Sequence, residues 1–123
     1  MIDKNFTYAI IGASTDTSKY GFKVLKDFLE GGYKVIPINP KGGEILGLKV
    51  AKNLSEVVEN IDVVIMVVPP EIGLQVLKKV KEKGINKVWL QPGSESEEEI
   101  KYCKDNSIQY VANACIMIKR KEL

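Results

Sequence analysis

The segment best suited to bind a ligand is an apolar stretch that ends in small and hydroxylated residues, Tyr8-Ala-Ile-Ile-Gly-Ala-Ser-Thr-Asp-Thr-Ser-Lys-Tyr-Gly21. Small residues let the backbone approach an anion, and the free N–H groups at a helix start point toward it along the helix dipole. The pattern therefore predicts a phosphate-binding loop after Gly12, with added hydroxyl donors such as Ser14. The alternative is an ordinary strand-to-helix turn whose serines and threonines only cap the helix.

A second group of candidate residues follows the next apolar stretch, residues 33–38. An NAD site needs an acidic residue there to bind the ribose hydroxyls, whereas this chain has Asn39, Pro40 and Lys41. A lysine suits an additional phosphate, which NADP and the 3′-phosphate of coenzyme A both provide. The first loop lacks the Gly-x-Gly-x-x-Gly spacing, since the glycine after Gly12 is Gly21, and this weighs against NADP. A solvated loop lysine is the alternative for Lys41.

Groups for acid–base or covalent chemistry are few. The chain has no histidine, and its two cysteines, Cys103 and Cys115, lack CxxC spacing. Zinc binding and histidine-based catalysis are therefore excluded within this chain, and neither a metal site nor a catalytic residue is predicted. Cys103 shares an apolar stripe with Ile100 and is expected in the core. Cys115 is the one candidate nucleophile, but nothing near it in sequence would lower a thiol pKa, which favours a buried small residue.

The elements that must position these residues follow from the hydrophobic pattern. Apolar stretches typical of strands cover 6–11, 33–38, 61–68, 87–91 and 109–112, and a turn with a short extended piece covers 45–50. Helical periodicity covers 18–30, 54–59, 72–83 and a segment that ends near 106. Strands and helices alternate, which predicts one α/β domain over residues 1–123, with a five-stranded, mostly parallel sheet between two helical layers.

A run of glutamates at 95–99 lies at the start of the last predicted helix. Ser94 with Glu97, or Ser96 with Glu99, fits a capping box, and acidic residues are favourable in a first helical turn. The run is therefore expected to be a solvated capping turn rather than a metal or general-base site.

The predicted strand ends indicate where a ligand would bind. Parallel sheets bind ligands at the carboxyl ends of their strands, near the point where strand order reverses. Three of the four clearest ends are stopped by proline, which supplies rigid backbone ledges rather than catalytic groups. These ends are Gly12-Ala-Ser, Asn39-Pro-Lys, Val68-Pro-Pro and Gln91-Pro-Gly.

Composition narrows the class of protein. The 123 residues include 18 basic and 16 acidic ones for a net charge of +2, so the even mixture does not suggest nucleic-acid binding. The longest apolar run, residues 61–70, is far shorter than the roughly 20 residues of a membrane span. The first residues show no secretory pattern. We expect a cytoplasmic protein that does not contact membranes.

Five short signatures, taken together and in this order, resemble the small stand-alone CoA-binding domain proteins. These proteins are similar to the N-terminal domain of the succinyl-CoA synthetase α subunit and of ADP-forming acyl-CoA synthetases. The resemblance covers nearly the whole chain. The signatures are Gly12-Ala-Ser, Asn39-Pro-Lys-Gly-Gly-Glu with Gly47 downstream, Val68-Pro-Pro, Trp89-Leu-Gln-Pro-Gly and Cys115.

The resemblance implies a Rossmann-like domain and a binding site for coenzyme A or an acyl-CoA. The phosphates would lie at the first loop, and the adenine end would lie between the loop at Asn39 and the proline ledge at Val68. The full set of cofactor-binding residues implied is Gly12, Ser14, Lys19, Asn39, Pro40, Lys41, Val68, Pro69, Pro70 and Ile72.

The chain also departs from the synthetases it resembles. Those enzymes pass a phosphoryl group through a histidine in a following domain and use a further nucleotide-grasping domain, and this sequence contains neither. We therefore expect non-catalytic binding of coenzyme A or acyl-CoA rather than enzyme activity. The expected macromolecular partner is a second copy of the chain or a synthetase that it serves in trans. A small NAD(P)-binding oxidoreductase and an interaction subunit of a larger acyl-CoA synthetase assembly are the alternatives.

Overall fold

The computed structural model describes all 123 residues, as seven strands, four α-helices and a short 3₁₀ turn. In chain order the strands and α-helices are β1 (Thr7–Ile11), α1 (Tyr20–Glu30), β2 (Lys34–Ile38), β3 (Glu44–Ile45), β4 (Leu48–Lys49), β5 (Val63–Met66), α2 (Pro70–Glu82), β6 (Lys87–Leu90), α3 (Glu97–Asp105), β7 (Gln109–Val111) and α4 (Ile116–Lys121).

The main sheet has five strands in the order β2-β1-β5-β6-β7, and every pair in it is parallel. This confirms the predicted α/β class and strand count. Successive residues of β1 and β5 face opposite sides of the sheet, as the pleat requires. Both sides are buried, which explains why these strands are apolar along their whole length.

Two helical layers cover the sheet. The layer of α2 and α3 packs on one face, where Leu77 and Cys103 join the core. The layer of α1 and α4 packs on the other, where Phe28 and Ile116 are fully buried. None of the helices has the length and apolar character needed to span a bilayer.

The order of the strands sets the place of the functional site. From β1 the chain moves to β2 on one side and then returns to β5 on the other side of β1. Strand order therefore reverses between β1 and β5, and the crevice expected at such a reversal opens between Gly12 and Val67, just beyond the two strand ends.

Three local predictions need correction. The helix expected over 54–59 is only the 3₁₀ turn Leu54–Glu56, because the chain becomes extended at Val57, which is buried in the core. The piece at 45–50 is a hairpin of β3 and β4 that turns at Leu46 and Gly47, both with positive φ. Helix α2 begins at Pro70 rather than at residue 72, since proline is well tolerated in the first turn, where its missing N–H has no helical partner.

The glutamate run is only partly solvated, which corrects the sequence interpretation. Glu97 and Glu98 are exposed, but Glu99 is fully buried between α3 and α2. Ser96 is the helix cap, and its hydroxyl accepts the Glu99 N–H at 3.2 Å and donates to Glu99 Oε1 at 2.9 Å. Ser94 has another role, since its Oγ accepts the Val68 N–H at 3.1 Å.

Candidate functional site

The first loop is compressed between β5 and α1. Gly12 has a φ of +90°, and a Cβ there would collide with the carbonyl oxygen of Val67. A Cβ on Gly21 would collide with the carbonyl oxygen of Gly12, so the start of α1 lies directly against the loop. This close approach explains both glycines and brings the amino-terminal end of α1 to the loop.

The serines and threonines of this loop do not cap α1. Helix α1 has no side-chain cap, and its preceding residue is Lys19. Ser14 Oγ accepts the Asp16 N–H at 3.0 Å, and Asp16 Oδ1 accepts from both the backbone and the hydroxyl of Ser18. The capping alternative for the loop is therefore wrong. The Ser18 hydroxyl and its backbone N–H lower the pKa of Asp16, so this carboxylate is ionised at neutral pH.

Asn39 joins the first loop to the loop that follows β2. Its Nδ2 donates to the Ala13 carbonyl at 2.8 Å, and its Oδ1 accepts the Lys41 N–H at 2.9 Å. The Gly12 and Ala13 N–H groups both donate to the Ile38 carbonyl, at 3.1 and 3.3 Å. Asn39 therefore orients two loops, and both ends of its amide are already used within the protein.

A polar cavity of about 230 Å³ lies above the first loop. Lysines from two loops line it, and its lining includes no acidic residue. The lining residues are Gly12, Ala13, Ser14, Thr15, Lys19, Asn39, Lys41, Gly42, Ile45 and Val67.

An apolar cavity of about 270 Å³ adjoins the polar one and shares Gly12 and Asn39 with it. Its walls are aliphatic, and its polar lining again includes lysines but no acid. The lining residues are Ile11, Gly12, Ile38, Asn39, Pro40, Lys52, Asn53, Leu54, Val68, Ile72, Val76 and Lys79.

Together these cavities contain most of the residues predicted for the site. Pro69 and Pro70 line neither of them, but they lie with Gly12 and Lys19 along an open groove at the start of α2. All ten predicted residues therefore meet at one edge of the sheet. Sequence reasoning missed Lys52 and Lys79, which no local motif marks.

Cys115 lines a third cavity, of about 430 Å³, on the other side of the open groove. It is half-buried rather than buried. Gln91, which is 2% exposed, accepts the Ile116 N–H at 2.7 Å and lies with its Nε2 3.5 Å from Cys115 Sγ. Tyr20 and Val67 line both the groove and this cavity, so the two are continuous.

The other cysteine and the buried glutamate lie outside these cavities. Cys103 is in the core as predicted, and burial raises the pKa of its thiol to about 11, which makes it a poor nucleophile. Burial likewise raises the pKa of Glu99 to about 7, despite the hydrogen bond from Ser96. Its Oε2 has no hydrogen-bond partner and lies against Gly73.

Comparison with known proteins gives a consistent result. A family model described as a CoA binding domain matches residues 6–121. The chain is 38% identical over 86 residues to the α subunit of ADP-forming acetate–CoA ligase I from Pyrococcus furiosus, a match that covers 65% of this chain and 19% of the relative. The chain therefore spans about a fifth of the length of that relative.

Solved structures of similar size share the fold. A conserved hypothetical protein from Pyrococcus furiosus has a TM-score of 0.89 and 42% identity, covering 93% of this chain and 98% of its own. A hypothetical protein from Pyrococcus horikoshii OT3 has a TM-score of 0.90 and 32% identity, covering 95% of this chain and 82% of its own.

Proposed function

The chain belongs to the CoA-binding domain family, and from this premise we propose that it binds coenzyme A or an acyl-CoA without transforming it. One observation carries the proposal. A lysine-lined polar cavity and an aliphatic cavity adjoin at Gly12 and Asn39, at the carboxyl ends of the strands. The adenosine end of coenzyme A has the same arrangement, since a flat apolar ring lies next to phosphate groups.

The residues around the polar cavity suit the phosphates. Backbone amides near the start of α1, the Ser14 hydroxyl and Lys19 would receive the diphosphate, and Lys41 would receive the 3′-phosphate. Asn39 would act indirectly, because its amide holds the two loops together.

The apolar cavity suits the adenine ring. Its lining includes Pro40 from the loop after β2, Val68 from the segment after β5 and Ile72 from α2. Pro69 and Pro70 would border the groove along which the rest of the ligand leaves. That groove continues to the Cys115 cavity, which offers room for the pantetheine arm or an acyl group.

The chemical inventory supports binding rather than catalysis. Thioester chemistry needs an activated nucleophile, a general base or an oxyanion site. Cys115 is the available thiol, but the cavity around it contains no carboxylate or histidine to accept its proton, and its one charged residue is the exposed Lys121. We infer a carrier, a sensor, or a module that serves a synthetase in trans. The last role draws on the ligase relative, which is itself described as a subunit.

An NAD-dependent oxidoreductase fits less well. The residue after β2 is Asn39, a neutral amide that already makes one hydrogen bond at each end within the protein, whereas an NAD site places an acidic residue there to bind the ribose hydroxyls. The first loop also lacks the dinucleotide glycine spacing.

Calorimetry with coenzyme A, NADP and NAD tests the binding proposal. We expect saturable binding of coenzyme A and none of the dinucleotides at the same concentration. Incubation with acetyl-CoA and succinyl-CoA, with and without ADP, phosphate and magnesium, tests the absence of turnover. Tight NADP binding without coenzyme A binding would refute the ligand, and thioester loss that disappears in Cys115→Ser would make this protein an enzyme.

A further inference from the structure

Hydrogen bonds fix the backbone of Lys52 beside the loop that follows β2. The Asn39 N–H donates to the Ala51 carbonyl at 2.9 Å, and the Ala51 N–H donates to the Pro37 carbonyl at 3.0 Å. These hydrogen bonds add one parallel bridge, between Ile38 and Ala51, at the edge of the sheet beside β2. The Lys52 N–H is fixed in turn by Glu56 Oε2 at 2.9 Å. The backbone that carries this lysine is therefore held against the end of β2.

The side chain of Lys52 crosses Gly42. Its Cε and Cγ lie 3.3 and 3.5 Å from the position that a Cβ on Gly42 would occupy. Gly42 and Lys41 line the polar cavity, whereas Lys52 lines the apolar one. Lys41 therefore lines the cavity on one side of the boundary, and Lys52, which packs on Gly42, lines the cavity on the other side.

The ammonium groups of Lys41 and Lys52 have no partner within the protein. Neither forms an ion pair or a side-chain hydrogen bond, and the carboxylate nearest in sequence to Lys52, that of Glu56, accepts its backbone N–H instead. Lys79, the other lysine of the apolar cavity, differs, since it pairs with Glu82 at 3.3 Å. The ammonium groups of Lys41 and Lys52 are therefore both free to bind an anion at the boundary of the two cavities.

We propose that Lys41 and Lys52 form a clamp, across Gly42, for the phosphate monoester on the ribose of the ligand. The proposal rests on the proposed function, because adenine in the apolar cavity puts the ribose at the boundary of the two cavities. A phosphate monoester carries a charge of about −1.5 to −2 at neutral pH, which suits two lysines better than one. Lys52 is therefore a specificity-determining residue that favours coenzyme A over dephospho-CoA.

Calorimetry of coenzyme A and dephospho-CoA against Lys52→Ala, Lys41→Ala and the double variant tests the clamp. Each single variant is expected to weaken coenzyme A binding about tenfold and to change dephospho-CoA binding less than twofold, since only the charge-assisted contact is lost. The double variant should bind the two ligands equally. Lys52→Arg should retain most of the preference.

Lys49→Ala is the matched control, because Lys49 is an exposed lysine of β4 that lines neither cavity. It should leave both affinities unchanged, and circular dichroism checks that each variant is folded. Unchanged coenzyme A binding in Lys52→Ala, or an equal loss for both ligands, would overturn the clamp alone. Absence of coenzyme A binding by the unaltered protein would overturn the proposed function and the clamp together.

Discussion

Ser14 is a residue of the first loop whose hydroxyl can donate to an anion in the polar cavity. Its Oγ accepts the Asp16 N–H, which leaves the hydroxyl proton free, and the residue lines the polar cavity. The ionised Asp16 does not line that cavity and is held by Ser18. The Ser14 hydroxyl is therefore free to donate to a ligand, while the carboxylate of Asp16 is occupied by hydrogen bonds from Ser18.

Ser14→Ala should weaken coenzyme A binding about fivefold, because one hydrogen bond contributes about 1 kcal/mol. Calorimetry measures the effect. Thr17→Ala, an exposed hydroxyl in the same loop that lines none of the cavities described, is the control and should bind normally. Equal effects of the two changes would mean that the loop was altered as a whole and would remove Ser14 from the site.

Glu99 should make the stability of the protein depend on pH, because a buried carboxyl with an unpartnered oxygen favours its neutral form. Burial raises its pKa from 4.5 to about 7 in the folded protein. Between these values the folded state holds a proton that the unfolded state has released. The contribution to stability is therefore complete below about pH 4.5 and is lost as pH rises toward 7.

We expect Glu99 to lower the free energy of unfolding by up to about 3 kcal/mol between acid and neutral pH, since each pKa unit corresponds to 1.36 kcal/mol. Glu99→Gln keeps the shape beside Gly73 and cannot ionise, so it should remove this part of the pH dependence. Urea unfolding of both proteins from pH 4 to pH 8 measures the difference between them. A constant difference across that range would contradict the prediction.

At the scale of elements, a partly buried ion pair links α4 to α1. Arg120 Nε and Nη2 donate to the Asp27 carboxylate at 2.8 and 3.0 Å, and the two side chains are 18% and 13% exposed. The guanidinium also lies 5.7 Å from the centre of the Tyr33 ring. Helix α4 has only six residues and too few turns to be stable alone, so this pair and buried Ile116 hold it.

Arg120→Ala should destabilise the protein by about 2 kcal/mol, because a bidentate, partly buried pair is lost and Asp27 keeps only the longer contact with exposed Lys121. Hydrogen exchange in α4 should accelerate with it. Lys121→Ala is the matched control, since Lys121 reaches the same carboxylate at 3.7 Å but is 66% exposed, and its loss should cost less than about 0.5 kcal/mol. Similar costs for the two variants would show that α4 is held by packing alone.

The elements also show what the sequence could and could not predict. Local periodicity located the five sheet strands and the three longer helices, because each has an apolar pattern of its own. Helix α4 has too short a pattern, and the burial of Glu99 depends on how α3 lies against α2. The position of Lys52 depends on the pairing of Ala51 with Ile38, a contact between distant residues that no local motif encodes.

At the scale of the whole molecule, parallel topology explains why ten predicted site residues meet. The residues come from segments far apart in the chain, but each follows or lies close to the carboxyl end of a strand. Parallel strands bring those ends to one edge of the sheet, and the reversal of strand order between β1 and β5 opens a crevice there. A motif at a strand end can therefore be placed at this edge of the sheet without knowledge of the contacts within it.

Asn39 has a further consequence for how fast a ligand can be captured. The hydrogen bonds that its side-chain amide makes with Ala13 and Lys41 link the first loop to the loop that follows β2. The entropy lost when these loops become ordered is then a cost of folding and not of association. We therefore expect coenzyme A to bind in one kinetic step, with an observed rate in stopped-flow measurements that rises in proportion to ligand concentration; a plateau at high concentration would instead indicate a loop-closure step.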